Sequence, residues 1–195
     1  MLIRSIRIMV IGIDVSRANT LERTGVEQYT WNLVQALKSV ASSAEIVLYS
    51  PTPAIPDWGV LPVSWRWKVL RMPGNRLWTQ ARLSGELLVN KPDVFFAPSS
   101  GLPIITTGRT VATVHDVAFL THPELYSWRE RTLQKWYLER IVSEANTIIV
   151  PTIATKQSVL KFYPHCERNV AVIPHGAPTS NSDAVSAKNP NSILF

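Results

Sequence analysis

Seven short runs of apolar and β-branched residues recur along the chain, and the stretches between them carry helical spacing or turn residues. The runs are Ile6–Asp14, Glu45–Tyr49, Ser64–Arg71, Asp93–Ala97, Thr110–Val114, Thr147–Val150 and Asn169–Ile173. Parallel strands need long crossovers and antiparallel ones do not, so this alternation is the pattern of βαβ units. The expected fold class is α/β with a mainly parallel sheet. A length of 195 residues suits one sizeable core. Hydrophobic residues at 46% and charged residues at 17% fit a folded globule rather than a disordered segment.

Two helices announce their own starts. Thr24 with Glu27, and Ser127 with Glu130, have the spacing of capping boxes. The first helix is expected to run to about Val40 and to bury Tyr29, Leu33, Ala36, Leu37 and Val40. The second is expected to reach Glu144 and to bury Leu133, Trp136, Tyr137, Ile141 and Ala145, with Arg129, Arg131, Lys135 and Glu139 facing water. After His175 the residues from Gly176 to Asn191 turn rich in Pro, Ser, Asn and Ala without apolar periodicity. We read 1–176 as one domain, 177–191 as a linker and 192–195 as the start of a further domain.

Several function classes fall away on simple grounds. Cys166 is the single cysteine, so there is no disulfide framework, and no Cys or His cluster has metal-ligand spacing. Asp14 interrupts the apolar run at the amino end and no small-residue cleavage site follows, which argues for a strand rather than a signal peptide. No run of about 18 apolar residues is present, so no spanning helix is expected. A soluble, cytoplasmic protein fits. The net charge of +6 favours anionic partners. Between Ser64 and Gly85 stand Arg66, Lys68, Arg71, Arg76 and Arg82, no acidic residue, and Trp65, Trp67 and Trp78. That stretch reads either as a strand face and helix with core tryptophans, or as peripheral contact with an anionic membrane. No nucleic-acid module is present.

In an open parallel sheet, ligands bind beyond the carboxyl ends of the strands. Three groups of residues are expected there. Thr24 and Gly25 open the first helix, whose free N–H groups and positive dipole end suit a phosphate, although plain capping is the simpler reading. His115 and Asp116 follow the fifth strand; the imidazole could donate to a sugar hydroxyl or move a proton, and the aspartate could orient it or accept from an acceptor hydroxyl. Thr152 reads as a helix N-cap, His175 as a loop residue at the domain boundary, and Ser99 and Ser100 lie beyond the fourth strand. No G-x-G-x-x-G fingerprint occurs, which disfavours a dinucleotide fold.

The ordered segments GIDVSR (12–17), TGVEQYTWNLVQAL (24–37), DVFFAPSSGLP (93–103), TVATVHDVAFLTHPELYS (110–127) and VAVIPHG (170–176) resemble the amino-terminal domain of family 4 glycosyltransferases. The resemblance implies the amino half of a GT-B fold, a Rossmann-like three-layer sandwich facing a second domain across a cleft. It implies a hexosyltransferase-type enzyme that moves a sugar, with retention, from a nucleotide sugar to a saccharide or lipid-linked acceptor, as in cell-envelope polysaccharide synthesis. It further implies catalytic roles for His115 and Asp116, diphosphate contacts at Thr24 and Gly25, acceptor contacts at Ser99, Ser100 and Thr152, and no metal or other cofactor. Where the family often carries a second glycine and an arginine, this chain has Glu27 and Gln28, and a carboxylate beside a diphosphate would repel it. The basic groups that neutralise the leaving diphosphate belong to the second domain, so the chain by itself is expected to be inactive. A non-catalytic saccharide-binding or membrane-surface module is the alternative.

Overall fold

All seven expected strands form, and all lie parallel in one sheet. They are β1 (Val10–Asp14), β2 (Glu45–Ser50), β3 (Trp65–Val69), β4 (Val94–Ala97), β5 (Arg109–Thr113), β6 (Thr147–Val150) and β7 (Val170–Val172). Their order is β3-β2-β1-β4-β5-β6-β7, with every neighbouring pair parallel. This computed structural model describes residues 8–74, 77–99 and 101–176. Ile6 and Arg7 of the first expected strand, Arg76, Ser100, the expected linker 177–191 and the apolar segment 192–195 lie outside the described residues.

The crossovers carry α1 (Gly25–Val40), α2 (Ser84–Val89), α3 (Ala118–Thr121), α4 (Trp128–Glu144) and α5 (Ile153–Phe162), and a π-helical turn, Trp78–Leu83, leads into α2. Strand side chains alternate between faces, and here both faces are buried. In β2, Ile46 and Leu48 join one core with Ile13, Phe96, Trp58, Trp65 and Val34 of α1. Val47 and Tyr49 join the other, with Phe95, Ala112, Ile148, Leu83, Leu87 and Leu138. Helices on opposite faces of one parallel sheet make the Rossmann-like three-layer sandwich. Each fully buried Leu or Phe in these cores contributes about 1.5–3 kcal/mol of transfer free energy. Gly12 in β1 is required by packing: a Cβ there would sit 2.7 Å from Tyr49 Cε2 and 3.2 Å from Pro92 Cγ.

The helix boundaries agree with the expectation, but the buried faces are rotated. In α1 the buried residues are Thr30 and Val34, with Leu33 and Leu37 half-buried, while Ala36 and Val40 face solvent. Thr30 can go inside because its hydroxyl donates to the Val26 carbonyl oxygen at 3.0 Å. In α4 the inward stripe is Leu138, Ile141 and Val142, followed by Ala145 just past its end, whereas Leu133 and Trp136 are exposed. Trp136 lies instead against Tyr137 and under the Arg140 guanidinium. Both cap boxes close on their glutamates, with Ser127 N–H donating to Glu130 at 3.0 Å and Thr24 N–H to Glu27 at 3.1 Å.

The Trp-containing basic stretch resolves in favour of the core. Trp65 and Trp78 are buried, and the Trp67 indole N–H donates to the Thr52 carbonyl oxygen at 3.0 Å. Carboxylates from elsewhere in the chain meet three of the cations: Glu45 pairs with Arg66 at 2.9 Å, and buried Glu86 pairs with Lys68 and, at 3.6 Å, with Arg82, while Arg71 is exposed. Among the described residues no helix is long and apolar enough to cross a membrane.

Candidate functional site

The site is built from loops that leave the carboxyl ends of β1, β4, β5 and β7. Strand β1 ends at Asp14, a buried carboxylate whose Oδ1 accepts the Ser16 N–H at 2.9 Å. Burial pushes its pKa up, against the opposing hydrogen bonds of Ser16 and the charge of Arg17. That bond turns the chain so that Arg17 comes out exposed and pairs with Glu27 of α1 at 2.9 Å. Asn19 then anchors the loop to the segment after β2. Its Nδ2 donates to Thr52 Oγ1 and to the Pro53 carbonyl oxygen, each at 2.8 Å, and its Oδ1 accepts the Trp58 indole N–H at 2.9 Å.

Thr24 and Gly25 stand where the sequence places them, at the start of α1. The first N–H groups of a helix have no intrahelical partner, and a Cβ at Gly25 would have nothing within 4 Å, so a ligand can reach this backbone. Glu27 is engaged by the Thr24 N–H, the Thr24 hydroxyl and Arg17. Burial alone would raise its pKa, but these partners hold it below the usual glutamate value. Its charge is committed to the cap and to Arg17.

One turn further along α1, Tyr29 brings the loops together. Its ring meets His115 edge-on at 4.9 Å and lies 4.4 Å from His175, and the two imidazoles are 5.4 Å apart. Its hydroxyl lies 3.4 Å from Thr113 Oγ1 on β5. Gly25, His115 and His175 are therefore at the same end of the sheet.

His115 Nε2 lies 2.8 Å from the Pro98 carbonyl oxygen. A carbonyl oxygen only accepts, so Nε2 carries the proton, and in the neutral ring Nδ1 keeps a lone pair. Burial favours that neutral form and lowers the pKa; Pro98 and Asp116 pull it up, while His175 and Arg17 push it down. Asp116 acts on the ring through its charge. Its Oδ1 accepts the N–H of Ala118, the first residue of α3, at 2.9 Å, and the Pro98 carbonyl accepts from His115.

The remaining expected residues are placed as follows. Ser99 is buried directly after β4, and Ser100 is outside the described residues. Thr152 is the N-cap of α5 and accepts the Thr155 N–H at 3.0 Å. Arg17 and Tyr29 carry no site signal in the sequence: the proximity of Arg17 to Glu27 requires the loop to fold back, and helical spacing alone puts Tyr29 in the core. A cavity of about 540 Å³ opens elsewhere, over Tyr49, Arg66, Lys68 and Asn90. Among the described residues no group of three His, Cys, Asp or Glu side chains is arranged to hold a metal ion.

Comparison with known proteins adds three findings. The family model for Glycosyltransferase Family 4 matches residues 23–181. Among solved structures, the Anabaena protein HepE (Alr3699), crystallised in complex with UDP-glucose, superposes with a TM-score of 0.54 at 13% identity, over 87% of this chain and 44% of that one. The chain thus spans less than half of that neighbour. No curated protein matches the sequence.

Proposed function

From the premise that this chain belongs to Glycosyltransferase Family 4, we propose that it forms the acceptor-side half of a GT-B enzyme that moves a hexosyl group from a nucleotide sugar to a saccharide or lipid-linked acceptor, with retention. The observation that carries the reading is the meeting of His115 and His175 around Tyr29, one turn along α1 from Gly25, at the carboxyl end of the sheet. The HepE neighbour holds UDP-glucose, which supports a nucleotide-sugar donor here.

In this reading His115 is neutral and its Nδ1 accepts a hydrogen bond from a sugar hydroxyl, the reverse of the donor role that sequence suggests. The amino end of α1 at Thr24 and Gly25 faces the diphosphate, and Arg17 supplies positive charge beside it. Glu27, tied to the cap, spares the diphosphate an unpaired carboxylate. Asp116, next to His115, shares its catalytic role and accepts from an acceptor hydroxyl, and Ser99 and Thr152 contact the acceptor. No cofactor enters the scheme, and most of the leaving-group charge is met by basic side chains of a donor-binding half. Losing one such group commonly costs about 2.7–4 kcal/mol of transition-state stabilisation. The chain without that half is therefore proposed to be inactive.

The test is a radiolabelled sugar-transfer assay on the chain alone, on the chain joined to a donor-binding half, and on the joined form carrying His115→Ala. The proposal expects turnover only in the joined form and a loss of 100-fold or more in the alanine variant. Undiminished turnover with His115→Ala removes the role of His115, and turnover by the chain alone removes the two-half reading.

A further inference from the structure

Arg23 is an arginine placed almost entirely inside the protein, with its side chain 7% exposed, directly before Thr24 and Gly25. Its Nε donates to the Ala18 carbonyl oxygen at 2.9 Å, and Nη1 reaches Asp57 Oδ2 at 2.5 Å. The guanidinium carbon lies 5.0 Å from the centroid of Trp31 and 5.9 Å from that of Trp58. Three segments thus meet on one side chain: the loop after β1 through Ala18, the turn Pro56–Trp58 through Asp57 and Trp58, and α1 through Trp31. Trp58 is buried and returns to the same loop by donating to Asn19.

Burying a cation costs solvation that a single partly exposed carboxylate only partly returns, so an apolar side chain would serve plain stability at least as well. What an apolar side chain cannot do is hold directional bonds to Ala18 and Asp57 while stacking on two indoles. Lysine cannot either, because it is a point charge on a flexible stem, whereas guanidinium is a rigid planar fork. We propose that Arg23 is a positioning residue: it clamps the Val15–Thr24 loop so that Arg17 and the backbone at Gly25 face the diphosphate. The inference rests on the nucleotide-sugar reading of this wall, and Arg23 itself touches no substrate in it.

The experiment uses the ¹⁵N-labelled chain, with two readouts taken on the same samples. One is amide exchange across residues 16–25; the other is the response of the Thr24 and Gly25 amides to inorganic pyrophosphate. Arg23→Gln is compared with Arg23→Lys and with Leu138→Ala, which lowers the melting temperature from a core on the other face of the sheet. The clamp predicts at least tenfold faster loop exchange and at least tenfold weaker pyrophosphate response in Arg23→Gln. Arg23→Lys, which keeps a cation for Asp57, falls between Arg23→Gln and wild type and covers the case in which the glutamine variant does not fold. Leu138→Ala changes neither readout. Loop exchange and pyrophosphate response in both Arg23 variants no different from Leu138→Ala overturn the inference. A wild type with no pyrophosphate response refutes the diphosphate reading of the wall, and faster loop exchange in the same Arg23 variants locates that failure in the ligand rather than in the clamp.

Discussion

His115→Gln is the substitution that most sharply tests the chemistry assigned to the site. Gln is neutral at every pH and keeps an N–H able to donate toward the Pro98 carbonyl, so the comparison isolates the proton on the ring. Burial holds the folded pKa of His115 below its ordinary value of 6.5, with His175 and Arg17 acting in the same sense against Pro98 and Asp116. The sign follows by linkage. Below about pH 6.5 the unfolded chain takes up a proton that the folded chain refuses, so stability falls as the pH falls. The contribution is complete above pH 6.5 and is lost progressively down to the folded pKa. One proton sets the scale, so the loss approaches about 1.4 kcal/mol per pH unit in that window. Urea denaturation at half-unit steps between pH 8 and pH 5 measures it, with two-state analysis at each step. Wild type minus His115→Gln should be flat above pH 7 and slope downward in wild type below it. A flat difference throughout, or wild type gaining on the variant in acid, would mean that the folded ring takes up the proton at least as readily as the unfolded one, and that burial does not keep the ring neutral with Nδ1 free in mild acid.

Other expectations follow from packing and capping. Gly12→Ala drives a methyl against Tyr49 and Pro92 and should cost about 1–3 kcal/mol by chemical denaturation; no loss would mean that the β1 backbone is less confined than the contacts indicate. Ser127→Ala removes the cap of α4 and should cost about 1 kcal/mol, lowering the melting temperature without altering the site loops. The Cys166 thiol is buried and its pKa is pushed up by burial, so iodoacetamide should label it slowly in the folded chain and rapidly in denaturant. Equal labelling rates would contradict that burial.

The strands were legible because parallel strands buried on both faces read as nearly unbroken apolar runs, and Thr147–Val150 falls where the pattern puts it. Capping chemistry is local, so Thr24 and Ser127 marked helix starts correctly. Which face a helix buries is less local. In α4 both Leu133–Trp136–Tyr137 and Leu138–Ile141–Val142 satisfy helical spacing, and only packing against the sheet selects the second. Glu45 and Glu86, the acidic partners of Arg66, Lys68 and Arg82, lie outside Ser64–Gly85, so that stretch by itself reads as uniformly basic. The approach of His175 to His115 across 60 positions in sequence depends on strand order, which hydrophobic patterning does not encode. Arg23, Asn19 and Trp58 escaped notice for the same reason: each is unremarkable until the loop after β1 meets the segment after β2.

The central claim is that the carboxyl-end wall formed by the Val15–Gly25 loop, His115 and His175 receives a nucleotide sugar. Titrating the ¹⁵N-labelled chain with UDP-glucose and mapping the amides that respond tests this most directly. The account predicts responses concentrated at residues 16–26, 114–117 and 173–176. Responses confined to the amino ends of the strands or to the outer face of α4 would contradict it, as would the lack of any response in the chain joined to a donor-binding half.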